Sequence, residues 1–470
     1  MGKSIKVAAS VALAAGLIAI FYVMRLSDSK ENTIEGFTVL EFEGKEEFIA
    51  NPLMGFAPQA VSLEGAADHE LVYVEVTWRE WEPTEGNYDA ETIRKTRHLD
   101  TWRSKGKHVV FRFMSDNPGE TEHRDIPDWL YDITGDGQDY DMEYGKGYSP
   151  DYSNPIFIEK HARAVKALGE AFGQDSFFSY VQLGSVGHWG EWHVNYDSGL
   201  TRMPGPDICR MYVEPYIDAF PNAFLMMRRP FEWVKEYGFG VYNDMTGEKE
   251  STNEWLGWIE NGGVYEEPQS PLQMSPVERI WETAPVGGEF TSSLPMSRML
   301  GSGISTTVKL IQNSHMTYIG PMAPVDGENG IDKTNGIAEV LRNVGYRYGI
   351  KRAVIPKFDE INFDDPEASA VKLIWSNTGA VPMYWDWDVY LYFLNPEDFA
   401  ILNRKRIDLE LPKLFGGAEV LSTTAIEKDD LPEGDFILGV GIIDPMTGKP
   451  AVRLDMDTEF IGDIALLTGS

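Results

Sequence analysis

Short apolar and β-branched runs alternate with longer helical stretches along the first 350 or so residues of the chain. The helical stretches include residues 90–105, 155–172 and 207–220. Buried strands separated by helices are typical of a parallel sheet. Eight such strands over roughly 300 residues predict a closed (β/α)₈ TIM barrel, an α/β fold. The candidate strands are residues 54–57, 71–77, 108–114, 178–185, 223–228, 240–243, 285–288 and 306–311.

The pattern changes after about residue 348, where closely spaced strands follow one another without helices. Residues 370–376 alternate apolar and polar positions, and Asn377-Thr378-Gly379 is a turn signal. Further strands are indicated at residues 385–393, 406–411, 436–443 and 451–456. Such spacing predicts a small all-β sandwich domain. Its expected role is to support the barrel, with contact to carbohydrate as the alternative.

The N-terminus contains an unbroken run of 18 uncharged, mostly apolar residues, 7–24, with Lys3 and Lys6 before it and Arg25 after it. This pattern predicts an N-terminal transmembrane helix that remains as a signal anchor. A cleaved signal peptide is the alternative, but no small-x-small cleavage site follows the run. The expected organisation is an anchor at 1–26, a spacer at 27–48, the barrel at 49–348 and the sandwich at 349–470. The barrel would then be extracellular, on a bacterial cell membrane crossed once.

Composition narrows the partners and the possible chemistry. Cys209 is the only cysteine, so neither an internal disulfide nor a thiolate metal site is possible. The formal net charge is −33, which opposes binding to nucleic acid and to anionic lipid. This charge is consistent with a solvated extracellular body.

One six-residue segment suggests chemistry. His188-Trp189-Gly190-Glu191-Trp192-His193 closes the fourth candidate strand and surrounds one carboxyl group with rings. Burial among rings disfavours the charged carboxylate, raises its pKa and suits a proton donor for sugar cleavage. A second acid, Glu289, ends the seventh candidate strand after Gly287 and Gly288, which are expected to let the chain turn sharply there. Barrel active sites form where such strand ends meet, so the two acids are expected to face each other.

A family resemblance adds roles to these two residues. Residues 78–89 contain W-x-x-W-E-P-x-x-G-x-Y-D, which resembles a loop of clan-A (β/α)₈ glycoside hydrolases, notably the β-galactosidase-like and xylanase-like branches. In that clan the acid/base Glu ends the fourth strand and the nucleophile Glu ends the seventh. The resemblance therefore implies that Glu191 is the acid/base and Glu289 the nucleophile. The clan usually has Asn before its acid/base, whereas this chain has Gly190, so a contact to the sugar 2-hydroxyl must come from elsewhere or be absent.

A wider resemblance covers nearly all of the chain after the spacer. Asn51-Pro-Leu-Met-Gly-Phe56, residues 184–191, residues 287–289 and Trp375-Ser-Asn-Thr-Gly379 are similar to a bacterial family of exported barrel proteins without an assigned function. That family is grouped with clan-A-like glycosidases. The resemblance implies the fold and leaves the substrate open.

Further polar and aromatic residues are candidates for substrate binding. Arg112 lies in an otherwise apolar strand, so it must be paired; it either orients a catalytic carboxylate or forms a structural ion pair. Polar side chains near strand ends can hydrogen-bond sugar hydroxyls, and indoles can stack on sugar faces. Each has a purely structural alternative. The candidates are Trp81, Trp189, Trp192, His188, His193, Asn243, Asp244, Gln312, Asn313 and His315.

Metal sites and cofactors are not predicted. His188, Glu191 and His193 lack the one-turn histidine spacing of zinc proteases. The carboxylate-rich residues 132–141 could hold Ca²⁺ through oxygen ligands, but they lack the twelve-residue spacing with a closing Glu, and a solvated loop is the default interpretation.

These observations predict a retaining glycoside hydrolase that acts on an extracellular or cell-surface polysaccharide or oligosaccharide without a cofactor. The alternative is a non-catalytic carbohydrate-binding barrel involved in handling exopolysaccharide or cell-surface glycan. A structural protein of exopolysaccharide export is a third class, expected to have a shallow barrel mouth without exposed indoles.

Overall fold

The computed structural model describes residues 33–45, 49–62, 69–324, 333–359 and 361–468. The chain forms two compact units. One consists of residues 50–345. The other combines the described residues before residue 50 with those from Tyr346 onwards.

The unit of residues 50–345 contains a sheet of eight parallel strands within its described residues. Successive strands are neighbours around the sheet. The sheet closes through backbone hydrogen bonds between Tyr73, on the second strand, and the residues just after the first strand. Tyr73 N–H donates to Pro58 O (2.7 Å), and Ala60 N–H donates to Tyr73 O (2.8 Å). The predicted (β/α)₈ barrel is thereby confirmed. The strands are β1 (Gly55–Phe56), β2 (Leu71–Thr77), β3 (His108–Met114), β4 (Phe178–Gln182), β5 (Phe224–Met227), β6 (Gly240–Thr246), β7 (Val286–Phe290) and β8 (Tyr318–Ile319).

Helices lie between these strands, and the longest shows how the sequence specifies them. The Asn154 side chain accepts hydrogen bonds from Ile156 N–H (2.8 Å) and Phe157 N–H (3.3 Å), and Pro155 occupies the first turn. Both features are typical of a helix start. Two short hairpins add strands Gln138–Met142 with Gly145–Ser149, and Gly263–Tyr265 with Leu272–Met274. The α-helices are Trp78–Trp81, Ala90–Thr96, Leu99–Ser104, Asp128–Thr134, Pro155–Phe172, Pro206–Ala219, Glu232–Tyr237, Lys249–Asn261, Ile304–Ser314 and Lys333–Leu341.

The prediction of the eighth strand is wrong. Residues 306–311 lie within the helix Ile304–Ser314, and β8 follows that helix. Thr307, Val308, Ile311 and Ser314 are buried on one face, whereas the side chain of Lys309 is exposed. A short β-branched run satisfies a strand pattern, but burial at every third or fourth position is helical.

Four tyrosines, one from each even-numbered strand, are fully buried: Tyr73, Tyr180, Tyr242 and Tyr318. The rings of Tyr180 and Tyr318 lie 4.9 Å apart. A Cβ atom at Gly287 would lie 2.6 Å from the Tyr318 ring, so this position needs glycine for space. Gly287 therefore makes room for an aromatic ring and does not form the sharp turn expected from the sequence.

The second unit contains two antiparallel sheets in its described residues, in agreement with the predicted all-β C-terminal region. Trp375 is buried in the first sheet and donates a hydrogen bond from Nε1 to Ser422 Oγ (2.9 Å). In strand order the first sheet comprises Thr33–Ile34, Phe37–Glu41, Tyr348–Pro356, Ala370–Asn377 and Glu419–Ala425, and the second Ile401–Ile407, Val389–Leu394, Ile437–Asp444, Ile464–Leu466 and Phe460–Ile461, with Lys449–Pro450 paired to Ile437–Asp444.

Two expectations about the N-terminal region need correction. Residues 33–41, expected in a spacer, form two strands of the first sheet, where Phe37–Glu41 pairs with Tyr348–Pro356. The transmembrane helix of the predicted fold class is not supported: among the described residues, no helix is long and apolar enough to cross a membrane. The predicted span, residues 7–24, lies outside the described residues.

Candidate active site

The two predicted catalytic acids lie next to the same guanidinium group. Arg112 is on β3, Glu191 follows β4, and Glu289 is near the end of β7. Arg112 Nη1 lies 3.4 Å from Glu191 Oε1, and Arg112 Nη2 lies 3.9 Å from Glu289 Oε2. Given the width of a guanidinium fork, these two carboxyl oxygens are at most about 10 Å apart. A separation within this limit is compatible with the distances between the two carboxyl groups in both retaining and inverting glycoside hydrolases.

Arg112 is almost completely buried and is fixed by neutral groups as well. Its Nε donates to Gln182 Oε1 (2.8 Å), and its Nη2 donates to the same oxygen. Tyr73 also donates to Gln182 Oε1 (2.6 Å), and Gln182 Nε2 donates to the Tyr318 hydroxyl (3.0 Å). The guanidinium group is therefore anchored from β2, β4 and β8, and its orientation towards the acids is predetermined.

The loop that presents Glu191 has an unusual backbone. Trp189 and Trp192 have φ angles of 53° and 58°, in the left-handed region that favours glycine. Gly190 has φ 69°, and a Cβ atom there would lie 2.0 Å from the carbonyl oxygen of Gly184. Asn does not fit at this position, which is the physical reason why the residue before Glu191 departs from the clan pattern.

His188 stabilises this loop through buried hydrogen bonds. It is fully buried, and its Nδ1 lies 2.9 Å from Asp116 Oδ2. Its Nε2 accepts a hydrogen bond from Asn195 N–H (3.1 Å), so Nδ1 is the nitrogen that donates to Asp116. The Tyr140 hydroxyl donates to the other oxygen of Asp116 (2.5 Å). His188, predicted to bind substrate, is thus occupied in a structural network.

Two adjacent arginines after β5 donate hydrogen bonds to backbone carbonyl groups of this loop. Arg229 Nη1 donates to the carbonyl oxygens of Glu191 (3.2 Å) and Trp192 (3.1 Å). Arg228 Nη2 forms a 2.7 Å ion pair with Asp244 on β6, and its Nη1 donates to Glu191 O (3.5 Å). Both guanidinium groups are buried or nearly so, so they act on the backbone in surroundings that strengthen charge interactions.

Burial and neighbouring charge shift the acids' pKa values. Burial, then repulsion from Asp244, raises the pKa of Glu191 to about 7. Burial also raises the pKa of Glu289 well above its usual range; Arg112 opposes this shift, and Glu191 adds to it. Because each acid disfavours ionisation of the other, the pair retains at least one proton near neutral pH.

The other polar candidates at the mouth differ in accessibility. His193 lies 3.6 Å from Glu191, between its Nε2 and Oε2, and its side chain is 21% exposed. Burial together with Arg228 and Arg229 lowers the pKa of His193 to about 3, so this ring is neutral at physiological pH. Asn243 is buried and bonds Thr252 Oγ1 (3.1 Å), which leaves it unavailable to a ligand.

Only one of the three predicted tryptophan platforms is accessible. Trp81 and Trp192 are fully buried, and their indole N–H groups donate to the backbone carbonyls of Ala164 (3.1 Å) and Leu183 (2.7 Å). Trp189 is half-buried and lies 5.1 Å from the exposed ring of Tyr144, between ring centroids. The rings accessible for stacking on a sugar are therefore those of Trp189 and Tyr144, and not those of Trp81 or Trp192.

Gln312, Asn313 and His315 do not belong to the mouth. They lie at the end of the helix that precedes β8, because the strand predicted just before them is that helix. Gln312 Nε2 donates to Asn343 Oδ1 (2.7 Å). Asn313 and His315 line a cavity of about 310 Å³ together with Val286, the first residue of β7. This cavity is at the opposite end of the barrel from Glu289.

No metal centre is found in the described part of the chain, where no three His, Cys, Asp or Glu side chains cluster suitably. In the acidic segment 132–141, Asp136 accepts a hydrogen bond from Asn154 (2.5 Å) and Asp141 pairs with Lys146 (2.9 Å). The same segment borders a polar cleft of about 590 Å³ that is also lined by Arg79 and Arg124.

Several residues of the site were not predicted from the sequence: Tyr73, Gln182, Asp116, Arg228 and Arg229. A usable signal was present. On β2, β4 and β6 an inward tyrosine is followed two positions later by a polar residue, as in Tyr73-x-Glu75, Tyr180-x-Gln182 and Tyr242-x-Asp244. Residues two apart on a strand share a face, so the repeat marks an inward polar layer.

Comparison with known proteins gives matches of low sequence identity and low TM-score. No family model matches the chain, and no curated protein matches it. Among solved structures, endo-glycoceramidase II from Rhodococcus sp. in a cellobiose-like imidazole complex is 11% identical, with a TM-score of 0.41, covering 80% of this chain and 97% of that chain. A GH30 endoxylanase from Clostridium papyrosolvens C71 is 10% identical, with a TM-score of 0.29 and coverages of 81% and 98%.

A xylanase from Paenibacillus barcinonensis, complexed with a conduramine derivative, is 13% identical, with a TM-score of 0.30 and coverages of 54% and 77%. The barrel itself is defined by the strand order and closure described above.

Proposed function

We propose that this protein is a retaining glycoside hydrolase that acts on an extracellular or cell-surface polysaccharide. The observation that supports this proposal is the approach of Glu191 and Glu289, from the ends of β4 and β7, to opposite nitrogens of Arg112. Barrel enzymes place their chemistry at this end of the strands. Two carboxyl groups on either side of a glycosidic bond are the usual requirement for its hydrolysis.

Glu191 is assigned as the general acid/base. Its pKa of about 7 allows it to hold a proton at neutral pH and still release it to a leaving group. In the first step the Glu191 O–H bond breaks, and the proton moves to the glycosidic oxygen as the C–O bond cleaves. In the second step Glu191 accepts a proton from water, the water oxygen bonds to the anomeric carbon, and the C–O bond between that carbon and Glu289 breaks.

Glu289 is assigned as the nucleophile. It must be ionised to attack the anomeric carbon and form a glycosyl ester. Arg112, 3.9 Å away, is the group that favours its ionised form against burial and against Glu191. In the free protein, burial and Glu191 outweigh Arg112 and keep the pKa of Glu289 raised. The double-displacement mechanism therefore requires the shared proton to pass to Glu191 before Glu289 attacks. A cofactor has no role in either step.

The sugar would bind against the accessible rings of Trp189 and Tyr144, with His193 next to Glu191. A non-catalytic carbohydrate-binding barrel would use the same rings. The two functions differ only in whether the acids react, so the experiment must separate binding from bond cleavage.

The test uses the full chain, a panel of aryl glycosides and bacterial polysaccharides, and three variants: Glu191→Gln, Glu289→Gln and Glu254→Gln. Glu254 is exposed on the helix Lys249–Asn261 and serves as the matched control. We expect Glu289→Gln to lose at least about a thousandfold in kcat/KM, with circular dichroism unchanged and glycan binding retained. Glu254→Gln should keep the parental rate.

Mass spectrometry with a 2-fluoro glycoside of the cleaved sugar tests the covalent step. A glycosyl adduct on the peptide containing Glu289 is expected. Hydrolysis by Glu289→Gln at the parental rate would overturn the nucleophile assignment. Glycan binding by a parental protein that cleaves no member of the panel would favour the non-catalytic barrel.

A further inference from the structure

A third acid, Asp244, lies beside Glu191 and is not required by the mechanism above. It is on β6, two positions after Tyr242, and its side chain is 12% exposed. One guanidinium group, that of Arg228, contacts both residues, at Asp244 Oδ2 (2.7 Å) and at Glu191 O (3.5 Å). The two carboxyl groups are close enough to share a hydrogen bond. Two carboxyl groups form such a bond only when one of them retains a proton.

Arg228 determines which of the two acids ionises. Its Nη2 is 2.7 Å from Asp244 Oδ2, whereas its contact with Glu191 is to the backbone carbonyl (3.5 Å). Burial disfavours a charge on Asp244, but Arg228 outweighs burial and lowers the pKa of Asp244 to about 2. The ionised Asp244 is then an acceptor, and Glu191 must donate.

The remaining groups around Glu191 leave this assignment intact. Arg112 on β3 is 3.4 Å from Glu191 Oε1 and favours its ionised form. His193 approaches the other oxygen at 3.6 Å, but its pKa of about 3, lowered by burial and then by Arg228 and Arg229, keeps it neutral. Glu191 contributes to the raised pKa of Glu289 on β7. Ionisation of Glu191 is therefore opposed by burial and by Asp244, and favoured by Arg228 and by Arg112.

We propose that Asp244, held ionised by Arg228, is a positioning residue that keeps the proton on Glu191 and orients its O–H group. This inference rests on the proposed function, since it assigns the control of protonation at the same site. Arg228 contributes twice, because the same guanidinium group binds the carboxylate of Asp244 and the backbone of Glu191.

The arrangement suits both halves of a double displacement. Before cleavage, the bond to Asp244 retains the Glu191 proton until the leaving oxygen accepts it. After the proton has left, two negative carboxylates are adjacent. Their repulsion makes Glu191 a stronger base, which favours removal of a proton from water in the second half.

The test measures protonation directly and needs no substrate. The full chain is labelled with ¹³C at the Glu and Asp side-chain carboxyl carbons and titrated by NMR, with Glu191→Gln and Asp244→Asn identifying the two signals. In the parental protein, Glu191 should titrate near 7 and Asp244 near 2. Titration of Glu191 in the ordinary range of glutamates would overturn the proposal without any further variant.

Asp244→Asn tests the charge. We expect the Glu191 midpoint to fall by about one pH unit or more, because a repelling charge is lost and Arg228 no longer has its partner. Asp244→Glu should return the midpoint towards the parental value. Asp141→Asn, exposed on a hairpin strand, is the control and should leave the midpoint unchanged. A folded Asp244→Asn variant with an unshifted Glu191 midpoint would overturn the proposal.

Failure of this proposal and failure of the hydrolase proposal give different results. If the protein proves not to be a hydrolase, the titration still reports whether Asp244 controls the Glu191 proton. If it is a hydrolase, the basic limb of its kcat/KM profile should move to lower pH in Asp244→Asn by the same amount as the NMR midpoint. A loss of rate without any shift of the limb would indicate a structural role only.

Discussion

Trp189 and Trp192 lie three positions apart in one loop, share left-handed backbone conformations, and point into opposite environments. Trp192 is fully buried and packs against Phe231 and Trp233, with ring centroids 5.9 Å away in each case. Trp189 is half-buried at the barrel mouth beside Tyr144. One indole therefore supports the loop, and the other is available to a ligand.

This difference predicts that replacement by alanine mainly lowers stability at Trp192 and mainly weakens glycan binding at Trp189. Trp192→Ala should lower the free energy of unfolding by about 3–5 kcal/mol, the usual loss for a buried aromatic residue. Trp189→Ala should change it by less than about 1 kcal/mol and weaken glycan binding roughly three- to tenfold. Urea denaturation measures the first quantity, and calorimetric titration of a glycan from the screen measures the second. Equal losses of stability in the two variants would contradict the assignment of a single accessible indole.

Gly190 offers a second test, with a matched control nearby in the chain. Gly190→Ala places a methyl group where the carbonyl oxygen of Gly184 lies only 2.0 Å from the Cβ position. Gly199 has a similar positive φ of 89°, but nothing lies within 4 Å of its Cβ position. Gly199→Ala should cost about 1 kcal/mol for its backbone conformation, whereas Gly190→Ala should cost at least about 2–3 kcal/mol.

The same pair of variants should differ in activity. Gly190→Ala must displace the backbone that presents Glu191, so its kcat/KM should fall at least tenfold, while Gly199→Ala keeps the parental value. Thermal and urea unfolding give the stability, and the aryl glycoside assay gives the rate. Identical behaviour of the two variants would show that the contact with Gly184 has no consequence.

His161 predicts how stability depends on pH. It is fully buried on the helix Pro155–Phe172, with its Nε2 2.7 Å from Ser185 Oγ, and burial lowers its pKa to about 3. Below pH 6.5 the unfolded chain protonates this histidine and the folded chain does not. Stability is therefore fully present above about pH 6.5 and is lost as the pH falls towards 3. At pH 5 this loss amounts to about 2 kcal/mol.

The measurement is a series of urea denaturations between pH 7.5 and 5. His161→Gln should reduce the stability difference between pH 7.5 and 5 by about 2 kcal/mol, whatever its effect on absolute stability. His98→Asn is the control, because His98 has a left-handed φ of 51° that Asn tolerates. A pH dependence that His161→Gln leaves intact would assign the acid sensitivity to other groups.

The sequence specifies the barrel well because each buried strand is marked locally. The bounds predicted for the second and third strands, 71–77 and 108–114, coincide with β2 and β3. The eighth strand was missed because Tyr318–Ile319 is only two residues long, whereas the preceding helix contains a β-branched run. The hydrophobic pattern alone does not distinguish a strand from a helix here, since a short apolar run fits the periodicity of either element.

The site was only partly predictable for a different reason. Glu191, Glu289 and Arg112 follow from strand order, because parallel strands deliver their ends to one place. The burial of Trp192 and the roles of Arg228 and Arg229 depend on the left-handed turns of the loop, which break the alternation of side chains. Exact side-chain direction in such loops depends on tertiary contacts such as Gly184 against Gly190.

The pairing of Phe37–Glu41 with Tyr348–Pro356 has a consequence for biosynthesis. During translation the first of these strands emerges about 300 residues before its partner, and the whole barrel is synthesised in between. The early strand has an unpaired edge throughout that interval, and such edges are prone to associate with other chains. The barrel can become native while it is still attached to the ribosome, whereas the five-stranded sheet must wait for the last quarter of the polypeptide.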